Sequence, residues 1–152
     1  MLRTSKLTDY ATVILAYLAD DPARQYAAAD VAEAVGIALP TVSKVLKTLT
    51  RGSLLSTTRG AKGGYRLAHP AVEISLSRII EVMEGPIALT ECSVSRGLCV
   101  QESHCSLRAN WRRINRLVMQ ALDGVTLADM ASPQLQTMTL KVSKSSSPTQ
   151  RR

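Results

Sequence analysis

Apolar residues recur three and four positions apart in five stretches of the chain, which is the spacing of one face of an α-helix. Between the third and fourth of these stretches, residues 54–67 form two short apolar runs around a glycine-rich tip, a pattern typical of a β-hairpin. The chain is therefore predicted to be mainly α, with one small hairpin. The predicted helices span Thr8–Ala19, Ala28–Val35, Pro40–Arg51, Ser75–Glu84 and Leu107–Leu122.

The first predicted helix begins at a polar turn. Thr8 is the predicted N-cap, and Asp9 lies in the first turn, where a negative charge suits the helix dipole. Two aspartates followed by Pro22 end the helix. Its predicted core face consists of Val13, Ile14, Tyr17 and Leu18.

The second and third helices are joined by a short turn at Gly36, and Pro40 suits the first position of the third helix. Polar and basic residues occupy the outer face of that third helix. The arrangement is typical of a helix-turn-helix motif, although an ordinary helical hairpin with a solvated charged face has the same pattern. The predicted core face of the third helix is Val42, Val45, Leu46 and Leu49.

The hairpin that follows has a basic tip containing Arg59 and Lys62. Between Ala34 and Val72 the chain carries six Lys or Arg residues and no Asp or Glu, whereas a solvated surface usually mixes both signs. A nucleotide-binding phosphate loop is the alternative, but neither the P-loop pattern nor the GxGxxG pattern occurs. We therefore predict a winged helix-turn-helix, in which the hairpin is a wing that meets phosphates or a minor groove.

The net charge of +7 and the pI of about 9.7 favour a polyanionic partner, and by themselves they fit DNA or a membrane surface equally well. No apolar run reaches the roughly 18 residues of a transmembrane helix, and the N-terminus lacks the apolar core of a signal peptide. We therefore expect a cytoplasmic protein with no membrane partner. The sequence contains no Ser/His/Asp set and no paired acid site, so we expect neither an enzyme nor a small-molecule substrate.

All three cysteines lie in one stretch, with the spacing C-x6-C-x5-C. In a reducing compartment clustered thiols are more often metal-binding or redox-active than structural. The close thiol pairs of zinc fingers are absent, whereas iron–sulfur clusters need thiolate ligands, so an iron–sulfur site is favoured over zinc and over three idle cysteines. A fourth ligand is missing. The candidates for it are His104, Glu91, Glu102, or a residue elsewhere in the chain or in a partner subunit.

The last predicted helix carries an apolar stripe at heptad-like spacing, formed by Leu107, Trp111, Ile114, Val118 and Ala121. The stripe predicts a dimerisation helix, and the alternative is a helix that folds back onto its own domain. Thr126-Leu-Ala-Asp129 follows and resembles a capping box at the start of a short helix. The predicted organisation is a DNA-binding domain at 1–85, a cluster-binding loop at 86–106, a dimerisation helix with a closing segment at 107–131, and a disordered tail at 132–152.

The combined motifs resemble the Rrf family of winged helix-turn-helix transcription regulators, which includes IscR-like and NsrR-like repressors. The resemblance rests on Leu7-Thr-Asp-Tyr10, on Arg59-Gly-Ala-Lys-Gly-Gly-Tyr-Arg-Leu67 in the wing, on the cysteines and on Gly124–Asp129. It implies a homodimer that carries an iron–sulfur cluster near its dimerisation helices and binds double-stranded promoter DNA according to cluster state. A 2Fe–2S cluster is favoured and a 4Fe–4S cluster is possible.

The resemblance also implies a ligand set. Cys92, Cys99 and Cys105 match the three thiol ligands of the family. IscR-like members keep a His ligand three positions after the last Cys, where this chain has Arg108. In NsrR-like members the Asp of the Thr-Asp-Tyr motif completes the site from the other subunit, and Asp9 matches that Asp. Asp9 in trans is therefore the favoured fourth ligand, and His104 is the second candidate.

The same resemblance implies the DNA-contacting residues and the regulated genes. In Trp111-Arg-Arg-Ile-Asn115 and in the departure at Arg108 the chain most resembles regulators of the suf-type iron–sulfur assembly operon, which implies a repressor of such genes. A nitric-oxide or redox-sensing repressor of the same family is the alternative, and a structural zinc protein that binds DNA or a small redox carrier is the alternative from another class. The implied DNA contacts are Pro40, Thr41, Ser43, Lys44, Lys47, Arg59 and Lys62.

Overall fold

A computed structural model of the protein describes residues 4–60, 62–95 and 97–132. Over these ranges the chain forms seven α-helices, one 3-10 turn at Ala71–Glu73 and one two-stranded antiparallel hairpin. The predicted class, mainly α with a small hairpin, is confirmed. The elements are α1 (Lys6–Ala19), α2 (Ala28–Val35), α3 (Leu39–Arg51), β1 (Leu55–Thr58), β2 (Gly64–Leu67), α4 (Leu76–Glu84), α5 (Glu91–Val94), α6 (Arg108–Asp123) and α7 (Leu127–Ala131).

The core lies between α1, α3 and α4, with α7 closing one side. All four residues of the predicted core face of α3 are fully buried, because their spacing places them on one side of the helix. In α1, Ile14 and Leu18 are buried as predicted, but Val13 is 44% exposed. Its placement in the core was wrong. The inner face of α1 is completed by Ala11 and Leu15, which each lie about 160° around the helix from Val13.

The start of α1 also differs from the prediction. The N-cap is Ser5, whose Oγ accepts a hydrogen bond from the Thr8 backbone N–H at 3.3 Å. Thr8 is buried instead, and its hydroxyl donates to Glu84 Oε1 at 2.5 Å. The Ser5 backbone N–H donates to the same oxygen at 2.6 Å. These hydrogen bonds, first that of the Thr8 hydroxyl, hold the pKa of the Glu84 carboxyl below its usual value, and they join the end of α4 to the start of α1.

The C-terminal end of α6 is joined to the helix-turn-helix unit. The Leu76 backbone N–H donates to the Val125 carbonyl at 2.8 Å, and the Leu127 N–H donates to the Ile74 carbonyl at 2.8 Å. Leu127 is fully buried, and the predicted capping box at Thr126 is confirmed with Asp129 as its second member. Helix α6 therefore extends from a fixed base.

The predicted disordered tail, residues 132–152, lies outside the described residues except for Ser132. No helix in the described ranges is long and apolar enough to span a membrane. The loop predicted between α4 and α6 contains the short helix α5, which the sequence pattern did not predict.

Candidate DNA interface and thiol loop

The outer face of α3 presents the polar residues that the sequence singled out. Its buried face fixes the helix against α1 and α4, so the opposite face is turned to solvent. Lys44, Lys47 and Pro40 are exposed, with Pro40 in the first turn, while Thr41 and Ser43 are half-buried. This helix can enter a major groove side-on without disturbing the core.

The wing, residues 55–67, places two cations at its tip. Leu55 pairs with Leu67 at the base, and the tip carries exposed Arg59 and Lys62. Gly63 is required there, because a Cβ atom at this position would lie 2.1 Å from the Thr58 carbonyl oxygen. The tight turn thus brings two basic side chains to one protruding point.

A further backbone contact fixes the wing to the connection between α1 and α2. Tyr26 and Tyr65 exchange two backbone hydrogen bonds of 2.9 Å. A Cβ atom at Gly64 would lie 2.7 Å from the Tyr26 carbonyl oxygen, so the close approach needs glycine. Tyr17 packs edge-on against Tyr26, with the ring centroids 5.3 Å apart. Sequence reasoning missed this contact, since a single paired residue leaves no alternating pattern.

The cations of the basic segment, Ala34 to Val72, form no ion pair with an acidic side chain in the described part of the chain. The ion pairs formed by the described residues all lie elsewhere, at Arg24–Asp30, Arg78–Glu81 and Arg108–Glu102. The six cations are therefore free to meet an external polyanion. These exposed cations are Lys44, Lys47, Arg51, Arg59, Lys62 and Arg66.

The three cysteines lie within the thiol loop, residues 86–106. Cys92 is on α5, Cys99 lies at a bend and Cys105 in an irregular segment, and all three are free of disulfides and half-buried. Thiolates are the ligands that iron–sulfur clusters require, so the donor type fits such a cluster. In the described ranges, however, no three His, Cys, Asp or Glu side chains are gathered closely enough to hold a metal ion.

The two candidate fourth ligands are both on the surface. Asp9 is exposed in the first turn of α1. His104 is exposed beside Cys105, with its Nδ1 2.8 Å from the Ser103 hydroxyl. Neither is brought together with two thiols within the described chain.

Arg108 has an ion-pair partner that the sequence did not indicate. Its guanidinium contacts Glu102 Oε1, and the other oxygen of that carboxylate accepts the Gly97 backbone N–H. Only 29% of the Arg108 side chain and 13% of the Glu102 side chain are exposed. The only sequence signal for this ion pair was that two residues of opposite charge lie six positions apart. Such spacings are too common to predict a contact.

Helix α6 leaves apolar surface uncovered. It packs against α4 and α5, yet none of its residues is buried in the described chain. The first half of the predicted stripe is exposed, whereas Val118 and Ala121 are half-buried. The exposed large apolar side chains of this face, 39–56% accessible, are Leu107, Trp111, Ile114 and Leu117.

Together, α2, α3 and the wing define a winged helix-turn-helix protein, in which the outer side of α3 and the wing tip form an exposed basic face. The chain belongs to the Rrf2 family, described as iron-dependent transcriptional regulators, whose pattern matches residues 4–133. It is 34% identical over 137 residues to protein aau3 of Rhizobium meliloti, covering 88% of this chain and 89% of that protein. It is 29% identical over 104 residues to the regulator IscR of Vibrio vulnificus, covering 68% of this chain and 61% of IscR.

Solved structures agree with this family. CymR, the global cysteine regulator of B. subtilis, has a TM-score of 0.67 and 28% identity, covering 86% of this chain and 97% of CymR. IscR of T. potens has a TM-score of 0.61 and 27% identity, covering 85% of each chain. The expected family and fold are confirmed. The protein is a DNA-binding transcription regulator rather than an enzyme.

Proposed function

We propose that the protein is a cytoplasmic, homodimeric repressor whose binding to double-stranded promoter DNA depends on an iron–sulfur cluster. The observation that carries the proposal is the position of Cys92, Cys99 and Cys105, all in one loop between the DNA-reading unit and a helix with an uncovered apolar face. The family description as iron-dependent regulators supports the same reading. The suf-type iron–sulfur assembly genes are the proposed targets, repressed by the loaded protein and released on cluster loss.

A second copy of this chain is the proposed cover of the exposed α6 face. Large apolar side chains in water are unfavourable, and the stripe repeats at the spacing that two packed helices share. A dimer also matches two helix-turn-helix units to two half-sites of a palindrome. The candidate contacts to each half-site are Pro40, Thr41, Ser43, Lys44, Lys47, Arg59 and Lys62.

Asp9 of the partner subunit is the proposed fourth ligand. Its support is that Asp9 matches the Asp of the Thr-Asp-Tyr motif, which completes the site in NsrR-like members. Asp9 is exposed, and the hydrogen bonds of Ser5 and Thr8 fix the first turn that carries it. His104 in the same chain is the second candidate.

Anaerobic purification tests the cluster directly. The protein is expected to be brown, with visible absorption that the Cys99→Ser variant lacks, and Mössbauer spectra assign it as 2Fe–2S or 4Fe–4S. The loaded wild-type protein is expected to bind promoter DNA at least about tenfold more tightly than the metal-free protein, a coupling of the usual allosteric size. A colourless, zinc-loaded protein that binds DNA equally well in both forms would refute the proposal.

Replacing Asp9 with alanine tests the fourth ligand. Cluster loss from Asp9→Ala is expected to be about tenfold faster or more, because a metal with an unmet ligand position dissociates more readily. Visible absorbance after transfer to air measures the rate. Asp30→Ala is the matched control, since Asp30 is also an exposed acid in a first helical turn. Equal rates in Asp9→Ala and wild type would transfer the assignment to His104, which His104→Ala checks.

A thiol-based redox or nitric-oxide sensor is the second candidate function. It is favoured by the free, half-buried thiols and by the similarity to CymR, the global cysteine regulator of B. subtilis. That reading expects protein without visible absorption whose DNA affinity changes on oxidation and returns with a thiol reductant.

A further inference from the structure

We propose that the Glu102–Arg108 pair holds the thiol loop in a closed conformation, and that cluster loading requires this pair to separate. The proposal deepens the proposed function, since it concerns how the same thiols are made available. It assigns Arg108 a positioning role at the place where IscR-like proteins are expected to have a ligand.

The pair differs from the other ion pairs of the described residues. Arg24–Asp30 and Arg78–Glu81 have side chains that are about half exposed, from 49% to 55%, whereas Glu102 is 13% and Arg108 29% exposed. Screening by water is weaker at such a site, so the attraction between the two charges is stronger. The pair is therefore a structural contact of the loop rather than a solvated surface interaction.

The Glu102 carboxylate fixes two parts of the loop at once. One oxygen contacts the Arg108 guanidinium in the first turn of α6, and the other accepts the backbone N–H of Gly97, two residues before Cys99. The Glu102 backbone N–H donates to the Cys99 carbonyl at 3.1 Å. The segment that carries Cys99 is thus held against the start of α6.

Cys105 is held by the same arrangement. The Arg108 backbone N–H donates to the Cys105 carbonyl at 3.4 Å, so Cys105 belongs to the turn that opens α6. With both segments fixed in this way, no three potential ligands converge in the described ranges. A shared cluster needs all three thiolates at one point, so the backbone around Glu102 has to move before they meet.

The closed arrangement also leaves one buried hydrogen-bond donor without a partner among the described residues. Arg108 Nε is buried and has no hydrogen-bond partner among the described residues. An unpaired buried donor on a cation opposes the stability of the closed loop. The pair is consequently suited to separate when thiolate–iron bonds become available. A contact in which every buried donor had a hydrogen-bond partner would resist this separation.

Thiol alkylation of the metal-free protein tests the closed state without any cluster. In Glu102→Gln and Arg108→Gln the rates of iodoacetamide labelling at Cys99 and Cys105 are expected to rise about threefold to tenfold, because local opening becomes easier. Mass spectrometry of peptides gives the rate for each cysteine. Glu33→Gln and Arg112→Gln are the matched controls, since both residues are exposed and neither forms an ion pair within the described chain.

Cluster loading provides the second measurement. Glu102→Gln is expected to acquire visible absorbance from iron and sulfide about threefold faster or more than wild type, and the doubly substituted protein is expected to match it, since both changes break one contact. Thermal melting of each variant confirms that it is folded. Unchanged alkylation rates at both cysteines, or slower loading in folded variants, would overturn the proposal. If no cluster forms in any variant while alkylation rises, the proposed function fails and the closed pair stands.

Discussion

Replacing Ile114 with aspartate is expected to convert the protein into a monomer and to lower its affinity for a palindromic promoter site by ~100-fold or more. Ile114 lies in the middle of the apolar face of α6 and is 43% exposed in the single chain. In the proposed dimer this face is covered, and an aspartate there would place a charged carboxylate in an apolar interface. Burial of an unpaired charge opposes association strongly.

The loss of DNA affinity follows from the loss of the dimer. Two linked helix-turn-helix units bind two half-sites with the second contact made at high effective concentration. A monomer keeps α3 and the wing but makes only one of these contacts. Sedimentation measures the oligomeric state, and fluorescence anisotropy on a labelled promoter measures the affinity.

Gln120→Asp is the matched control for Ile114→Asp. Gln120 is exposed on the same helix, the charge change is identical, and its position lies about 120° around the helix from Ile114. This variant is expected to remain dimeric. Monomerisation by both substitutions, or by neither, would contradict the assignment of the apolar face as the subunit interface.

The buried framework of this protein was readable from sequence because it depends on periodicity. The α3 residues Val42, Val45, Leu46 and Leu49 recur at helical spacing and are all fully buried. Strong turn signals fixed the wing, since glycines surround the tip and the two strands on either side have apolar ends. Local sequence and tertiary packing agree at these positions.

Errors arose where packing, rather than local preference, decided the outcome. Thr8 has the chemistry of an N-cap, but Ser5 takes that position and Thr8 is buried against Glu84, a residue far along the chain. Val13 is as apolar as Ile14, yet the turn of the helix directs it outward. A single sequence does not show which distant residue a side chain will meet, so it does not decide between such neighbours.

The candidate sites also combine features that the sequence alone shows with features that it does not show. The thiols and the acid-free basic segment are visible from composition and spacing alone. The Glu102–Arg108 pair and the Tyr26–Tyr65 contact are not, because each depends on how a loop returns to an element already in place. Long-range contacts of this kind leave no periodic signal.

Replacing Arg59 with alanine is expected to weaken promoter binding by about 5-fold to 100-fold, the range for loss of one well-placed arginine contact to DNA. Arg59 is exposed at the wing tip and is free of ion pairs within the described residues, so its charge is available to a narrow minor groove or a phosphate. The wild-type affinity is expected to fall steeply as salt rises, and the slope of log K against log salt should decrease by about 1 in the variant.

Two further variants separate a specific contact from a general loss of charge. Arg116→Ala removes one exposed cation from α6, outside the basic segment, and is expected to change affinity less than Arg59→Ala does. Arg59→Lys keeps the charge without the planar guanidinium, so an intermediate affinity indicates that the fork geometry contributes. Equal losses in Arg59→Ala and Arg116→Ala, or a salt-independent affinity, would show that the wing does not contact DNA. Anisotropy titrations at several salt concentrations distinguish these results. Loss of a phosphate or groove contact changes the slope of log K against log salt, whereas loss of folding changes the amplitude of the anisotropy signal.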